Sequence, residues 1–150
     1  MTLEQRLTEL GIELPQVSTP MANYVGAQVD GDVVYLSGHI ARRDGAPFAG
    51  RVGADVDTDV ARLAARDVAI DMLATLQQAV GLDAIKKVLK ICGYIRSAPG
   101  FDQQPAVLNG ASDLLVEVFG EAVGKHARAA VGVSELPGGA VLEIDGVFRI

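Results

Sequence analysis

The sequence predicts a mixed α/β fold, in which one sheet carries two helices on one face. Runs of β-forming residues alternate with two long amphipathic helical patterns, and glycine- and proline-rich turns separate them. Of the 150 residues, 49% are hydrophobic and 21% are charged, which is typical of a globular domain. We therefore expect one domain over residues 1–150, with the order β-β-α-β-α-β-β after a leading helix.

The N-terminal segment predicts a short helix. Thr2 followed by Gln5 forms a capping box, and leucines then recur at helical spacing up to Gly11. Residues 1–14 are thus expected to be a helical extension of the domain.

The next segment predicts a β-hairpin. Residues 22–29 and 32–37 are rich in β-formers and flank Asp30-Gly31, a pair that tolerates the positive φ angles of a tight turn. Residues 38–57 contain turn-forming residues and are expected to be a loop.

Two helices and three strands follow. The first helix is expected to begin at Asp57 or Thr58 and to end at Gly81. Its predicted apolar stripe consists of Val60, Leu63, Ile70, Leu73, Leu76 and Val80. The second is expected to begin near Pro105 and to end at Gly120. Alternating or small apolar residues predict strands at 85–95, 127–133 and 141–148.

Composition argues against several classes of function. The formal charge is −6 without a basic run, and aromatic residues make up 5% with no Trp, so nucleic acid is not an expected partner. Neither a signal peptide nor a membrane span is recognisable. The single cysteine, Cys92, forms no internal disulfide, and His39 and His126 lack further ligands at metal spacing. We expect a cytoplasmic protein without a metal.

Arg128 is the most informative candidate residue. It lies in a run of small apolar residues, and its guanidinium cannot lose its charge, so burial requires a partner. That partner is either an internal carboxylate, a chain terminus or an anionic ligand. Glu143 lies in the next strand; if the two strands are neighbours, the residues form a structural pair or face one pocket.

At these residues the sequence resembles the RidA/YjgF family of reactive enamine/imine deaminases. The family signature is an arginine in a small-residue strand, a Leu-Pro turn and a glutamate between hydrophobic residues. Here it reads Ala-Arg-Ala-Ala-Val-Gly-Val at 127–133, Leu-Pro at 136–137 and Leu-Glu-Ile at 142–144. Tyr24, the run Ser37-Gly38-His39-Ile40 and Asn109 match further positions. The N-terminal helix resembles the longer subgroup of the family.

The resemblance implies a chorismate-mutase-like fold assembled as a homotrimer with clefts between subunits. In active members, the arginine matching Arg128 holds the carboxylate of a small 2-imino or 2-enamino acid. The glutamate matching Glu143 positions or activates water, and the tyrosine matching Tyr24 comes from a neighbouring subunit. Hydrolysis then gives a 2-keto acid and ammonia without a cofactor. The remaining positions implied to bind substrate are Ser37, Gly38, Asn109 and Ala130.

The sequence also departs from the family pattern. Ala130 stands where many members have cysteine, His39 replaces the usual glutamine, and His126 replaces the usual proline or alanine. Two other functions therefore remain open: a non-enzymatic trimer that binds small carboxylates or a partner protein, and RNA cleavage, which is described for some relatives but disfavoured by the acidic charge.

Overall fold

The computed structural model describes residues 1–150. Its helices are α1 (Leu3–Glu9), α2 (Thr58–Ala79), α3 (Gln104–Phe119) and α4 (Glu121–Gly124). Its strands are β1 (Ala27–Asp30), β2 (Val33–Ile40), β3 (Arg42–Arg43), β4 (Ala46–Pro47), β5 (Lys87–Arg96), β6 (Ala127–Val133) and β7 (Leu142–Arg149). Short 3₁₀ turns occupy Leu82–Ala84 and Pro137–Gly139.

The main sheet has the strand order β1-β2-β7-β5-β6. The last strand of the chain, β7, lies between β2 and β5 and is antiparallel to both, whereas β5 and β6 are parallel. Helices α2 and α3 are therefore the crossovers of two β-α-β units, and crossovers of the same hand place both helices on one face of the sheet. This arrangement confirms the predicted fold class.

The hydrophobic core lies between the sheet and these two helices. Strand residues such as Ile91, Ile144 and Phe148 are fully buried against it. The helices approach closely at Gly110, where a Cβ atom would overlap the Arg62 carbonyl of α2. The predicted apolar stripe of α2 is wrong at Leu63, which is 63% exposed, because the buried face is built largely from small residues. Those residues are Ala61, Ala64, Ala65, Val68 and Ala69.

The N-terminal helix forms as predicted. Thr2 and Gln5 make the reciprocal hydrogen bonds of a capping box, and Leu7 is buried. The Arg6 side chain donates to the backbone carbonyl of Glu117 in α3 at 2.9 Å, so α1 is fastened to the helical layer.

The predicted hairpin is present but shorter. Asp30 pairs with Val33, and Gly31 takes the first turn position with φ +60°, as a two-residue hairpin turn requires. Residues 22–26 are not a strand, so Tyr24 precedes the sheet rather than lying in it. The predicted loop at 38–57 is also partly wrong, because β2 continues to Ile40 and β3 and β4 form a small hairpin.

The connector between β6 and β7 is held by a charge bracket, which consists of Glu135, Arg51 and Arg96. Glu135 accepts hydrogen bonds from Arg51 at 2.9 Å and from two nitrogens of Arg96 at 3.0 and 3.1 Å. These hydrogen bonds lower the pKa of the Glu135 carboxyl. Since Arg51 follows the small hairpin and Arg96 ends β5, the bracket fixes where the chain crosses from the edge of the sheet to its centre.

None of the helices has the combination of length and apolar character needed to cross a membrane. No three His, Cys, Asp or Glu side chains are grouped in a way that suits a metal ion.

Candidate functional site

The residues singled out from the sequence fall into two clusters. The β6–α3 cluster contains Arg128, Ala130 and Asn109, at the edge of the sheet. The β2–β7 cluster contains Glu143 with Ser37 and Gly38, in the middle of the sheet. Tyr24 lies beside the second cluster, in the segment before β1.

In the β6–α3 cluster, neutral groups hold the Arg128 guanidinium. Its Nη1 donates to Ser112 Oγ at 3.1 Å, and its Nη2 donates to the Pro105 carbonyl at 3.4 Å. Both acceptors belong to α3, and Asn109 lies on the same helix face, between them. Arg128 takes part in none of the ion pairs of the chain. The internal carboxylate partner that the sequence left open is therefore absent, and three of five N–H donors remain free.

Strand β6 is an edge strand that pairs only with β5. Arg128 stands opposite Ile91 and Ala130 opposite Gly93. Ile91 is fully buried against the helices, and paired residues point to the same face of a sheet. The Arg128 side chain therefore belongs to the helix-covered face and reaches over its margin, where it is half-buried.

In the β2–β7 cluster, the Glu143 carboxyl lies directly over Gly38. A Cβ at position 38 would overlap the Glu143 carboxyl group, so only glycine allows this approach. Strand β2 has a bulge here, with one more residue than β7 between the pairs Leu36–Gly146 and His39–Ile144. Such bulges re-aim side chains and are common beside active sites.

Burial, followed by the negative charge of Asp145, raises the pKa of Glu143. Asp145 lies two residues along β7 on the same face and accepts a hydrogen bond from the Tyr94 hydroxyl at 3.0 Å. Burial and this carboxylate raise the pKa of Tyr94 to about 12, so Tyr94 stays a donor. A half-buried carboxyl group with a raised pKa is suited to exchanging protons.

His39 anchors the bulge from the other side. Its Nδ1 donates to the Ser37 carbonyl at 2.7 Å, and its Nε2 meets Thr75 Oγ1 of α2 at 2.8 Å. Burial, together with the charge of Arg42, lowers the pKa of His39, so the ring is neutral at physiological pH. This histidine is therefore an anchor between β2 and α2.

Ser37 connects the bulge to the segment that carries Tyr24. Its hydroxyl donates to the Val25 carbonyl at 2.6 Å, and its backbone N–H donates to the Gly26 carbonyl at 2.9 Å. Tyr24 and Val25 are 56% and 54% exposed. The Ser37 hydroxyl thus holds a segment that projects an aromatic and an aliphatic side chain away from the chain's own core.

The two clusters do not meet within one chain. The strands of Arg128 and Glu143 are not neighbours, because β5 lies between β6 and β7. The condition for a direct pair or a shared pocket within one chain is therefore not met. Glu143 pairs with Tyr94 of β5, which lies three residues beyond Ile91, the residue opposite Arg128. Its neighbours Leu142 and Ile144 are buried towards the helices, so Glu143 points to the open face. Arg128 and Glu143 therefore occupy opposite faces of the sheet.

Comparisons with known proteins identify the family to which this fold and sequence belong. A family model described as "YjgF/chorismate mutase-like, putative endoribonuclease" matches residues 4–142. The chain belongs to the RidA/YjgF family.

Similar proteins match over nearly the whole chain. Protein TCP17 of Trypanosoma cruzi is 41% identical over 146 residues, which cover 96% of this chain and 91% of that protein. The Agrobacterium tumefaciens protein Atu1372, described as of unknown function, is 42% identical with a TM-score of 0.90, covering 99% of this chain and 92% of that one. A Shewanella oneidensis protein, described as a putative endoribonuclease, is 30% identical with a TM-score of 0.93 and full coverage of both chains.

Sequence reasoning missed several residues of this RidA/YjgF chain. The predicted site does not include Ser112, although this residue lies three positions beyond Asn109 and thus on the same helix face. Asp145 follows Glu143 by two residues, and strand alternation would have placed both on one face. Nothing in the sequence indicated that the Tyr94 hydroxyl would bond to Asp145, because that contact depends on β5 pairing with β7.

Proposed function

We propose that this chain is a cofactor-independent hydrolase of small 2-imino and 2-enamino acids, releasing a 2-keto acid and ammonia. The observation that carries the proposal is the Arg128 guanidinium, which is held in place by neutral groups and has no carboxylate partner in its own chain. Arginine binds carboxylates through two parallel hydrogen bonds, which fix orientation as well as affinity.

The second element of the proposal is that each site lies between two copies of the chain. Arg128 and Glu143 point to opposite faces of one sheet, so a ligand that touches both requires Arg128 from one copy and Glu143 from another. The open face carries exposed apolar side chains, including Tyr35 and Val131 at 49% and 44% exposure. Further copies of the chain would bury these side chains, and their exposure in a single copy therefore supports the homotrimer that the family resemblance implies.

The proposed reaction uses Glu143 as the proton carrier. Ionised Glu143 takes a proton from water as the water oxygen bonds to the imine carbon, which gives a carbinolamine. The carboxyl delivers that proton to the imine nitrogen, which completes the carbinolamine. It then takes the proton of the carbinolamine hydroxyl and passes it to nitrogen as the C–N bond breaks, so that ammonia leaves and the carbonyl of the 2-keto acid forms. An enamine first accepts a proton at carbon and loses one from nitrogen to become the imine. General acid–base action of this kind contributes about 10²–10⁴-fold.

The other matched residues have supporting roles in this proposal. The glycine at position 38 leaves room for the Glu143 carboxyl, and the Ser37 hydroxyl holds the segment of Tyr24 so that the aromatic ring reaches the neighbouring copy. Asn109 and Ala130 form the margin beside Arg128. The acidic charge and the absence of a basic run do not suit an RNA substrate, and we propose a cytoplasmic enzyme that acts on free metabolites.

A direct assay tests the proposal. A serine-dehydrating enzyme generates 2-aminoacrylate, and its decay is followed with and without this protein. We expect faster decay with wild-type protein, no acceleration with Arg128→Ala or Glu143→Gln, and full acceleration with Arg62→Lys, an exposed arginine of α2 paired with Asp59. Unchanged decay across several amino-acid precursors would remove the proposal. Binding of 2-ketobutyrate without turnover would favour the non-enzymatic carboxylate-binding trimer instead.

A further inference from the structure

A chain of hydrogen bonds connects His126 to Arg128 through α3. His126 Nδ1 lies 2.6 Å from the Gly124 carbonyl, and its Nε2 lies 2.9 Å from Ser112 Oγ. Ser112 Oγ in turn accepts from Arg128 Nη1 at 3.1 Å. Both imidazole nitrogens and the serine hydroxyl are thereby engaged.

The direction of each hydrogen bond in this chain follows from the groups present. A carbonyl oxygen only accepts, so His126 Nδ1 carries the proton, and in the neutral ring Nε2 is then an acceptor. The Ser112 hydroxyl donates its one proton to Nε2. Its lone pairs are left facing Arg128, which has only donors.

We propose that His126 is a positioning residue that orients the Arg128 guanidinium for a carboxylate ligand through the Ser112 hydroxyl. This inference rests on the proposed function of Arg128. Without an acceptor at position 126, the Ser112 hydroxyl turns freely, either to a carbonyl one turn earlier in α3 or with its proton towards the guanidinium. Arg128 then loses a fixed acceptor, and its guanidinium group adopts several orientations before a ligand binds.

The hydrogen-bonded relay of His126, Ser112 and Arg128 also leaves the positive charge of Arg128 uncompensated, so that it can attract an anionic ligand. Both groups that hold the guanidinium, the Ser112 hydroxyl and the Pro105 carbonyl, are neutral, so they fix its orientation without compensating its charge. Family members with proline or alanine at the position of His126 lack the imidazole acceptor. The relay therefore distinguishes this chain from family members of that kind.

Calorimetry with 2-ketobutyrate tests the relay through affinity. We expect Ser112→Ala and His126→Leu each to raise Kd roughly three- to tenfold, as loss of one net hydrogen bond would. Because both act through the same contact, the double variant should be no weaker than either single variant. His126→Gln retains an acceptor and should restore most of the affinity, and Thr8→Ala, which removes a helical hydroxyl of α1, should change nothing. Additive losses, or no rescue by glutamine, would overturn the relay.

Nuclear magnetic resonance separates failure of the relay from failure of the proposed function. The His126 ring nitrogens should show a proton on Nδ1, and rotation of the Arg128 guanidinium should be slow in wild-type protein and faster in both single variants. A proton on Nε2, or equal rotation in all variants, contradicts the relay whether or not ligand binds. Slow rotation in wild-type protein that binds no 2-keto acid would instead overturn the function proposed for Arg128 and, with it, the ligand for which the relay prepares it.

Discussion

The β6–α3 cluster and the β2–β7 cluster differ in the charge that each leaves unbalanced. In the first, a permanent cation is held by a hydroxyl and a carbonyl. In the second, a carboxyl lies over a glycine with a second carboxylate nearby and no cation paired with it. Each cluster lacks the kind of group that the other supplies, and the two lie on opposite faces of the same sheet. This difference supports the proposal that a second copy of the chain completes the site.

The sharpest test of the comparison mixes two inactive variants. Arg128→Ala and Glu143→Gln chains, each inactive alone, are unfolded, mixed in equal amounts and refolded together. If each cleft takes its arginine from one chain and its glutamate from the next around a closed ring, about a quarter of the clefts regain both residues. We therefore expect about a quarter of the wild-type deaminase rate.

The control for this experiment is the same mixture prepared without unfolding, in which chains do not exchange and no rate should appear. Light scattering should give three times the mass of the chain for every sample. A mixed sample that stays inactive although its chains have exchanged would show that both residues act within one chain.

Alanine substitutions of two glycines, one on each face of the sheet, should give the next largest effects, on rate for Gly38 and on stability for Gly93. Gly38→Ala places a methyl group against the flexible end of Glu143, so the carboxyl moves and the rate should fall roughly 10²-fold, the contribution of a placed acid–base group. Gly93→Ala instead presses on the buried Leu108, and overpacking of this kind costs about 1–3 kcal/mol of unfolding free energy. Urea unfolding and the rate assay should separate the two variants, with stability lost mainly in Gly93→Ala and activity mainly in Gly38→Ala.

The pH dependence of the rate tests the electrostatics of the β2–β7 cluster. Burial and Asp145 raise the pKa of Glu143 above its ordinary value of 4.5, so kcat/KM should fall with decreasing pH at a pH above that value, as the required carboxylate is protonated. Asp145→Asn removes the neighbouring charge and should move this acid limb to lower pH. Asp30→Asn, an exposed position in the β1–β2 hairpin, serves as the control and should leave the limb in place.

A smaller effect is expected at a carboxyl that belongs to neither cluster. Burial and the charge of Asp67 raise the pKa of Asp71 on α2 from 3.8 to about 6. The folded protein therefore holds a proton that the unfolded chain releases, and stability should rise as pH falls from about 6 to 3.8. Because Asp71 is half-exposed, we expect about 1 kcal/mol after solvent screening.

Urea unfolding across that pH range measures the effect. Asp71→Asn should be more stable than wild type above pH 6 and should lose this part of the pH dependence. The exposed Asp113→Asn should behave as wild type. A wild-type stability that decreases over the same interval while Asp71→Asn is flat would contradict the assignment.

Local signals predicted most of the fold. Asp30-Gly31 predicted the hairpin because the backbone angles of a tight turn are a local requirement, and Pro105 and Gly120 marked the ends of α3 for the same reason. Leu63 shows the limit of such signals. The buried face of helix α2 is rich in alanines, so the largest apolar side chains do not identify that face.

The arrangement of the site depended on information that is not local. Sequence order left open whether β6 and β7 are adjacent. Strand β7 inserts between β2 and β5, and this choice is made by the pairing of distant strands. It separates Arg128 from Glu143 and brings Tyr94 to Asp145. The family resemblance supplied the roles of the residues, whereas only the sheet shows on which face each residue lies.

The bracket around Glu135 has a consequence for how this protein can change in length. The connector after β6 must pass the end of β5 before β7 begins, and Arg51 and Arg96 grip it at one residue. The number of residues between Glu135 and Glu143 therefore determines which side chain of β7 lies over the bulge of β2. Among homologues, an insertion or deletion between positions 136 and 142 should therefore coincide with replacement of one of the two gripping arginines.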